Sequence, residues 1–387
     1  MMETPANRLF AGAVIRRERL RRDWSQEGLC RGICTVSYLS KIEQGKAEGS
    51  PDVIRLLLER LDVPWYEDQE TMEVGEKWVE RCYEAVFSCD PEDPGDLAPE
   101  FDAQAPRLAS SPYGLDVAVL RGFVHPEQAV EDTELEEYLD RRQLALWRVQ
   151  QERYREALDL YPCAYTWLRA GIDHYARGDS YTAAVECLSQ AYQRASEQGY
   201  VRLMLLAKMY MGNCYCGQFQ VEQMEEQYRV AQRLIQALGD ESSLRVMKYN
   251  QASGYLGCGQ YQKAYGYFST VEQPTGMELQ KLALCCEKLG RREEALEALD
   301  RVDRMDWNTE LGRRMCQLVR YRLEHPDYLH HPEYGTQLLQ VFQDCQAQLP
   351  ISFAAFHLPW VLEWYTTNRQ YRSAYELLRD FPIKLDL

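Results

Sequence analysis

The chain has 387 residues, of which 45% are hydrophobic, and a formal net charge of −16 at pH 7. This length exceeds what one compact core accommodates and predicts two or three domains. No apolar run reaches the ~18 residues of a membrane-spanning helix, and the acidic balance argues against non-specific nucleic-acid binding by the whole molecule. Thirteen Cys without a secretory signal are typical of a reduced, cytoplasmic protein.

The first 63 residues differ from the rest in charge and contain the first predicted helices. They hold about 11 Lys and Arg against about 9 Asp and Glu, which leaves about −18 for the remainder. Four stretches with helical apolar spacing follow residues that commonly start helices. These start residues are Asn7 or a neighbour, Ser25, Thr35, and Ser50 followed by Pro51. Gly45 suits the left-handed end of the third helix, and the fourth is expected over about residues 51–61.

The predicted third helix turns Leu39 and Ile42 inward and leaves small polar residues and Lys41 outside. Such a helix can enter the major groove of DNA. The segments WSQEGL (24–29), SYLSKIEQGK (37–46) and SPDVIRLLLERLDV (50–63) closely resemble a helix-turn-helix domain of the phage-repressor (Xre) type. The resemblance covers almost all of residues 8–63. The alternative is a four-helix core that makes no DNA contacts.

The resemblance implies which side chains meet DNA. Gln26 is expected at a phosphate at the start of the second helix, and Val36, Ser37 and Lys41 at base edges. The full predicted set is Gln26, Thr35, Val36, Ser37, Tyr38, Lys41, Gln44 and Lys46, with Tyr38 and Lys46 placed on the DNA backbone.

Two further details belong to the same resemblance. Arg19 and Glu43 fall where the family has a buried pair that braces the recognition helix. The turn Gly32-Ile33-Cys34 replaces the longer turn of most such repressors. It resembles that of the peptide-sensing regulators grouped as the RRNPP family, of the Rgg and PlcR types.

The segment after the head region predicts a connection to a larger body. Residues 63–87 have helical apolar spacing and indicate a linker helix, whereas residues 89–114 are rich in Pro and acid and indicate an exposed loop. We therefore expect three parts: a DNA-binding domain (1–65), the linker helix and acidic loop (66–114), and a repeat domain for peptide binding and dimerisation (115–387).

Internal repeats dominate the remaining sequence. Related copies occur at residues 176–188, 215–224, 257–268, 288–299 and 367–378, with a weaker one at 148–160. The turn glycines Gly178, Gly217, Gly259 and Gly290 are roughly 39, 42 and 31 residues apart, which brackets the ~34-residue tetratricopeptide period. The predicted fold class is therefore all-α: a lambda-repressor-like helix-turn-helix domain followed by a right-handed tetratricopeptide-like α-solenoid.

In such a solenoid the first helix of each pair lines the concave face. Counting back nine residues from each turn glycine selects Arg169, Lys208, Asn250 and Lys281. Three cations and an amide favour an anionic or backbone-rich ligand, because an Asn side chain both donates to and accepts from a peptide bond. The predicted peptide-binding set adds three neighbours and is Arg169, Lys208, Met211, Tyr249, Asn250, Gln280 and Lys281. The alternative is that these groups are merely solvated.

Catalytic chemistry is not indicated by the sequence. Cys214 with Cys216, and Cys285 with Cys286, lack the Cys-x-x-Cys spacing and a matching second pair, so buried, inert thiols are expected rather than a metal site. His330-His331 is expected on a surface loop. No phosphate-binding glycine loop or nucleophile elbow occurs. We expect no enzyme activity, no cofactor and no metal.

These patterns together predict a cytoplasmic transcriptional regulator. Its expected partners are a double-stranded DNA operator, a short signalling peptide of the quorum-sensing type and a second copy of the chain, without a membrane. The homodimer contact is expected around residues 356–371, with exposed aromatic side chains. The alternative function is a DNA-tethered repeat scaffold that binds a protein partner instead of a peptide.

Overall fold

The structure is a computed structural model that describes residues 9–90, 94–128, 133–178, 180–305, 309–349 and 351–381. Every regular element in these ranges is a helix, so the all-α prediction is confirmed. The expected helix start at Asn7 lies outside the described residues. The chain divides into two compact units, with the boundary between Thr166 and Trp167.

Four helices form the N-terminal head, residues 9–63. They are α1 (Leu9–Arg21), α2 (Gln26–Cys30), α3 (Val36–Glu43) and α4 (Pro51–Arg60). Ile15, Leu29, Leu39 and Leu57 are fully buried at its centre. Since each helix contributes an apolar stripe to one core, short helices that are marginal alone stabilise one another.

The predicted helix ends of the head are confirmed, with one difference. Ser25 Oγ accepts from the Gly28 N–H at 3.0 Å, and Thr35 Oγ1 accepts from the Tyr38 N–H at 3.2 Å. Gly45 ends α3 with a φ of +64°. Ser50 makes no side-chain cap hydrogen bond, so α4 starts on the preset φ of Pro51 alone.

Five further α-helices follow the head within the first unit. They are α5 (Gln69–Ser88), α6 (Ala98–Leu108), α7 (Gly114–Val124), α8 (Arg141–Gln150) and α9 (Tyr154–Leu160), with 3-10 turns at Pro94–Leu97, Pro126–Gln128 and Thr133–Tyr138. The buried carboxylate of Asp116 accepts from the Tyr83 hydroxyl and from the Gln143 amide, both at 2.7 Å. These bonds join α5, α7 and α8.

The expected exposed loop over residues 89–114 is wrong for much of its length. Residues 98–108 form α6, with Phe101 completely buried and Leu108 almost so. Pro99 lies in the first turn, where a missing N–H costs nothing, and apolar residues recur at helical spacing behind it. Both predicted domain boundaries, after residues 65 and 114, lie inside the first compact unit.

Twelve α-helices follow among the described residues, the first of which spans the unit boundary. They are α10 (Ala164–Arg177), α11 (Tyr181–Gln198), α12 (Val201–Gly217), α13 (Val221–Leu238), α14 (Glu241–Gly257), α15 (Tyr261–Phe268), α16 (Gly276–Lys288), α17 (Arg292–Asp303), α18 (Glu310–Glu324), α19 (Pro332–Gln348), α20 (Ile351–Thr367) and α21 (Tyr371–Asp380). From α11 onward each helix packs against the next, and α12, α14, α16 and α18 also contact one another in series. The head is thus followed by a helical, repeat-like region.

One turn geometry recurs between paired helices. Just after the first helix of a pair, one residue takes a φ between +58° and +74°. The backbone N–H of the residue that follows it donates to the carbonyl five positions earlier in the chain, at 2.8–2.9 Å. The positive-φ residues are Glu152, Phe219, Gly259, Gly290 and Arg369. The fifth residue after each positive-φ residue has a fully or nearly buried side chain. These buried residues are Ala157, Met224, Ala264, Ala295 and Ala374.

This geometry corrects one predicted turn. Gly217 is the last residue of α12, and Phe219 takes the left-handed position, with a φ of +60°. The glycine-based spacing therefore misplaced the second repeat by two residues. Gly178, Gly259 and Gly290 do have positive φ, as the prediction requires.

Candidate functional site

A buried ion pair fixes helix α3 within the head. Arg19 Nε donates to Glu43 Oε1 at 2.6 Å, and Arg19 Nη2 donates to Glu43 Oε2 at 2.7 Å. Both side chains are at most one-tenth exposed. Arg19 Nη1 also donates to the Trp24 carbonyl, so α1, the α1–α2 turn and α3 meet at one guanidinium. The predicted buried pair of Arg19 and Glu43 is confirmed.

The outer side of α3 carries most of the predicted DNA-binding side chains. The exposed ones are Thr35, Val36, Ser37, Lys41, Gln44 and Lys46. Lys41 has no ion pair or hydrogen bond from its side chain among the described residues, whereas Lys46 Nζ donates to Gln44 Oε1 at 2.8 Å. Tyr38 is half-buried, and its hydroxyl donates to the Glu48 carbonyl at 3.1 Å.

Gln26 has a role that the motif alone does not show. Its side-chain amide donates to Glu43 Oε2 at 2.7 Å and so extends the Arg19 ion pair to the start of α2. Only one of the two amide N–H bonds is used in this way. The second has no partner among the described residues, and the expected phosphate contact of Gln26 stays a prediction.

The head packs on the rest of the first unit, a relationship that the sequence did not predict. Leu115 of α7 joins the buried core of the head, and Leu135, Tyr138 and Leu139 pack against it. The Tyr138 ring lies beside Gly45 at the end of α3. The segment after the recognition helix therefore rests on residues that were assigned to another domain.

The family comparison bears on these same residues. A family model described as "Helix-turn-helix" matches residues 15–67, which contain most of α1, all of α2 to α4 and the Arg19–Glu43 pair. Residues 15–67 form a helix-turn-helix domain. This helix-turn-helix domain, followed by the repeat-like region, supports a DNA-binding transcription regulator. No curated protein matches the sequence of the chain.

A cavity of about 190 Å³ lies in the second unit, bounded by α10, α12, α14, α16, α18 and α20. Four residues of the predicted peptide-binding set line it: Tyr249, Asn250, Gln280 and Lys281. The helices α12, α14 and α16 are the first members of their pairs, so the expected inner layer is the one that bounds the cavity. Whether it binds a peptide stays a prediction.

The other three predicted residues do not line this cavity. Lys208 Nζ donates to Gln227 Oε1 at 2.8 Å, and Met211 is buried. Lys208 was counted from Gly217 rather than from Phe219, but the same count from Phe219 gives Tyr210, which does not line the cavity either. Arg169 also lies elsewhere on α10, which reaches the cavity through Tyr175 instead.

Sequence reasoning missed the polar groups Asn213 and His357. Asn213 lies six residues before the true turn residue, Phe219, as Ser253 of the cavity lies six before Gly259. The nine-residue count misses it from either turn residue, and only the six-residue spacing finds it. His357 comes from α20, whose Phe353 and Phe356 form an apolar wall of the cavity. α20 is the first helix of the pair whose turn lies in the copy at residues 367–378, but its turn residue is Arg369, so a count from turn glycines does not reach it.

Lys281 carries a positive charge in an apolar setting. Its side chain is 7% exposed, and no carboxylate of the described residues pairs with it. The Nζ atom lies 4.9 Å from the centre of the Phe356 ring and 5.6 Å from that of Tyr249. Burial lowers the pKa of Lys281 to about 8, so the ammonium persists at neutral pH.

His357 is buried and neutral. Its Nδ1 lies 2.8 Å from the Phe353 carbonyl, which only accepts, so Nδ1 carries the proton. Burial lowers the pKa of His357 to about 4, and the charges of Lys281 and Arg322 act in the same direction. Nε2 is therefore an acceptor, and it has no hydrogen-bond partner among the described residues.

Cys285 and Cys286 are buried, whereas of the predicted surface pair His330-His331 only His330 is exposed, and His331 Nδ1 lies 2.9 Å from the Tyr321 hydroxyl oxygen. Burial raises the pKa of Cys285 to about 12 and of Cys286 to about 11, so both remain thiols. His330 is exposed at the end of a short 3-10 turn. Within the described ranges, no group of three or more His, Cys, Asp or Glu could hold a metal ion. None of the helices in those ranges has the length and apolarity to cross a bilayer.

The expected aromatic surface at residues 356–371 is only partly exposed. His357 and Trp364 are buried within the second unit. Phe356, Trp360 and Tyr365 are half-buried, whereas Tyr371, the last residue of the range, is about two-thirds exposed, as is Tyr375 one helical turn further along α21. The mode of dimerisation remains a prediction.

Proposed function

We propose that the chain is a cytoplasmic, sequence-specific transcription regulator of the RRNPP type, whose tetratricopeptide-like region binds a short signalling peptide. The exposed α3 reads base edges, and its ion-pair brace keeps it rigid when it docks in the major groove. A homodimer presents two such helices to an operator with two half-sites. Peptide in the cavity changes the packing of the inner helices and so alters operator binding or activity.

The observation that supports the peptide half is the cavity itself. Side-chain amides from three successive inner helices, Asn213, Asn250 and Gln280, converge on it among apolar side chains. The side-chain amides of Asn250 and Gln280 make no hydrogen bond among the described residues, although their backbones are bonded within α14 and α16. A peptide backbone offers both N–H and C=O groups, which such amides can satisfy together.

The DNA half is tested by selection of bound duplexes from a random pool at moderate salt. A sequence-specific regulator enriches one motif, and two inverted copies of it indicate a dimer. Uniform recovery of unrelated duplexes, with affinity that falls steeply with salt, would show non-specific binding only.

The peptide half is tested by thermal stabilisation of the full chain with synthetic pools of five- to ten-residue peptides. The Asn250→Ala variant should lose most of the stabilisation, and Lys248→Ala, an exposed change on the same helix, should retain it. Equal stabilisation of both variants would remove Asn250 from the site.

A protein-binding scaffold remains the second candidate, and one observation favours it. Tyr371, Tyr375 and Leu378 lie on one side of α21 and are all exposed. A folded partner would cover such a surface. Its binding would be lost in a Tyr371→Ser/Tyr375→Ser variant, whereas peptide stabilisation would not.

A further inference from the structure

The cavity has an uneven charge that limits what can enter it. Its lining includes one cation, Lys281, and no Asp or Glu among the described residues. Burying a charge without a partner is costly, and an unpaired ammonium in this place gains most from an anion. A cationic group, such as the amino end of a peptide, would be repelled.

The size of the cavity is equally restrictive. At about 190 Å³ it is smaller than the roughly 300–1,000 Å³ of sites for drug-sized ligands. A whole peptide does not fit, but one end of a peptide does. The walls formed by Met277, Met315, Phe353 and Phe356 suit an apolar side chain at that end.

We infer that the cavity takes the C-terminal residue of a short apolar peptide, with its carboxylate paired to Lys281 and the adjacent backbone N–H donated to His357 Nε2. This inference rests on the proposed peptide binding and adds its direction and anchoring group. The carboxylate supplies the anion that Lys281 lacks. The N–H supplies the donor that the neutral imidazole lacks, and because Nε2 is buried in the structure, a small shift of the side chains around it accompanies binding.

The two inferred contacts, with Lys281 and with His357, distinguish the C-terminal end of a peptide from other apolar carboxylic acids. A fatty acid also offers a carboxylate on an apolar body, but it has no N–H for His357. Both ligands would use Lys281, whereas only the peptide would use the imidazole nitrogen. Asn250 and Gln280 are then left for the next peptide bonds of the chain.

The test uses the full chain and three probes: a mixture of N-acetylated dipeptides built from Leu, Ile, Val, Phe and Met, the same mixture as C-terminal amides, and octanoate. Thermal stabilisation is measured against probe concentration. The free acids should act at concentrations at least about tenfold lower than the amides, since a charge-assisted hydrogen bond is lost in the amides. Octanoate should be weaker than the free acids.

Two variants and a pH series assign the groups. Lys281→Met should remove the advantage of the acids over the amides, and His357→Leu should weaken the peptides without affecting octanoate. In the unaltered protein, the acids should lose their advantage as the pH rises above 8, because Lys281 then loses its proton. This last measurement does not depend on whether either variant folds.

Each result decides between the possibilities. Equal action of acids and amides, or no action by either, overturns the inference, and the longer peptide pools with Asn250→Ala then decide separately on the proposed function. Octanoate acting as strongly as the acids, with loss in Lys281→Met, overturns the peptide end in favour of a fatty acid.

Discussion

Arg19 on α1 and Glu43 on α3 lie 24 residues apart and form two hydrogen bonds of 2.6 and 2.7 Å. A planar guanidinium held at two points by a carboxylate fixes orientation as well as distance. The last turn of the recognition helix is therefore positioned by α1, and Gln26 adds the start of α2 to the same carboxylate.

Breaking this pair should loosen the head. In Glu43→Gln the guanidinium stays buried without a counter-charge, so we expect the head to lose about 3 kcal/mol of local stability. Hydrogen exchange of the α3 amides in the full chain measures this loss. Glu59→Gln breaks the exposed Arg55–Glu59 pair of the same head and should leave exchange unchanged, because solvent already screens that pair. If both changes altered hydrogen exchange to the same extent, the buried Arg19–Glu43 pair would stabilise the head no more than the exposed Arg55–Glu59 pair does.

Lys41 and Lys46 should affect DNA binding differently. Lys41→Ala removes the proposed base contact and is expected to relax selectivity at one operator position by about 1–3 kcal/mol. Lys46→Ala removes a proposed phosphate contact and should weaken all duplexes similarly. Competition binding with single-base operator variants distinguishes the two patterns. The assignment fails if Lys41→Ala weakens every duplex to the same extent.

Two glycines of the repeat-like region should respond oppositely to alanine. Gly290 has a φ of +73° and open space around a would-be Cβ, so Gly290→Ala strains the backbone alone and should cost about 1 kcal/mol. Gly266 lies in helix α15 with equally open space, so Gly266→Ala should stabilise the protein by up to about 1 kcal/mol. Urea unfolding of both variants measures the signs. Stabilisation by both changes would contradict the left-handed turn at Gly290.

Lys281 should make stability depend on pH. Its pKa falls from 10.5 to about 8 on folding, so the unfolded chain binds the proton more tightly between these values. The free energy of unfolding contributed by Lys281 therefore rises from about pH 8 to about pH 10.5 and is lowest below pH 8. Lys281→Met should consequently be more stable than the unaltered chain at pH 7, by on the order of 3 kcal/mol.

The check is the difference in unfolding free energy between the two proteins across pH 7 to 10. It should shrink as the pH rises, while other groups cancel in the comparison. Lys248→Met, which changes an exposed Lys, should show no such trend. A difference that stays constant with pH would mean that folding does not lower the pKa of Lys281.

Local chemistry made the head predictable. Ser25, Thr35 and Gly45 act within a few residues of themselves, so their roles follow from sequence spacing. Even the Arg19–Glu43 pair was expected, because the motif carries it at a fixed separation. The count from turn glycines failed at two positions. Phe219 takes a position that the pattern reserved for Gly, and the count from Gly217 selected Lys208, which does not line the cavity. Arg169, counted from the left-handed Gly178, does not line it either.

The sequence by itself determined the helical class, the four helices of the head and the inner helices that carry Asn250, Gln280 and Lys281. These follow from apolar periodicity, caps and turns, which are properties of short segments. Only the tertiary structure decided that α6 is buried, that Tyr138 supports the end of α3, and that α20 brings His357 beside Lys281. Such contacts join residues far apart in the chain, and their free energy comes from burial that no local pattern specifies.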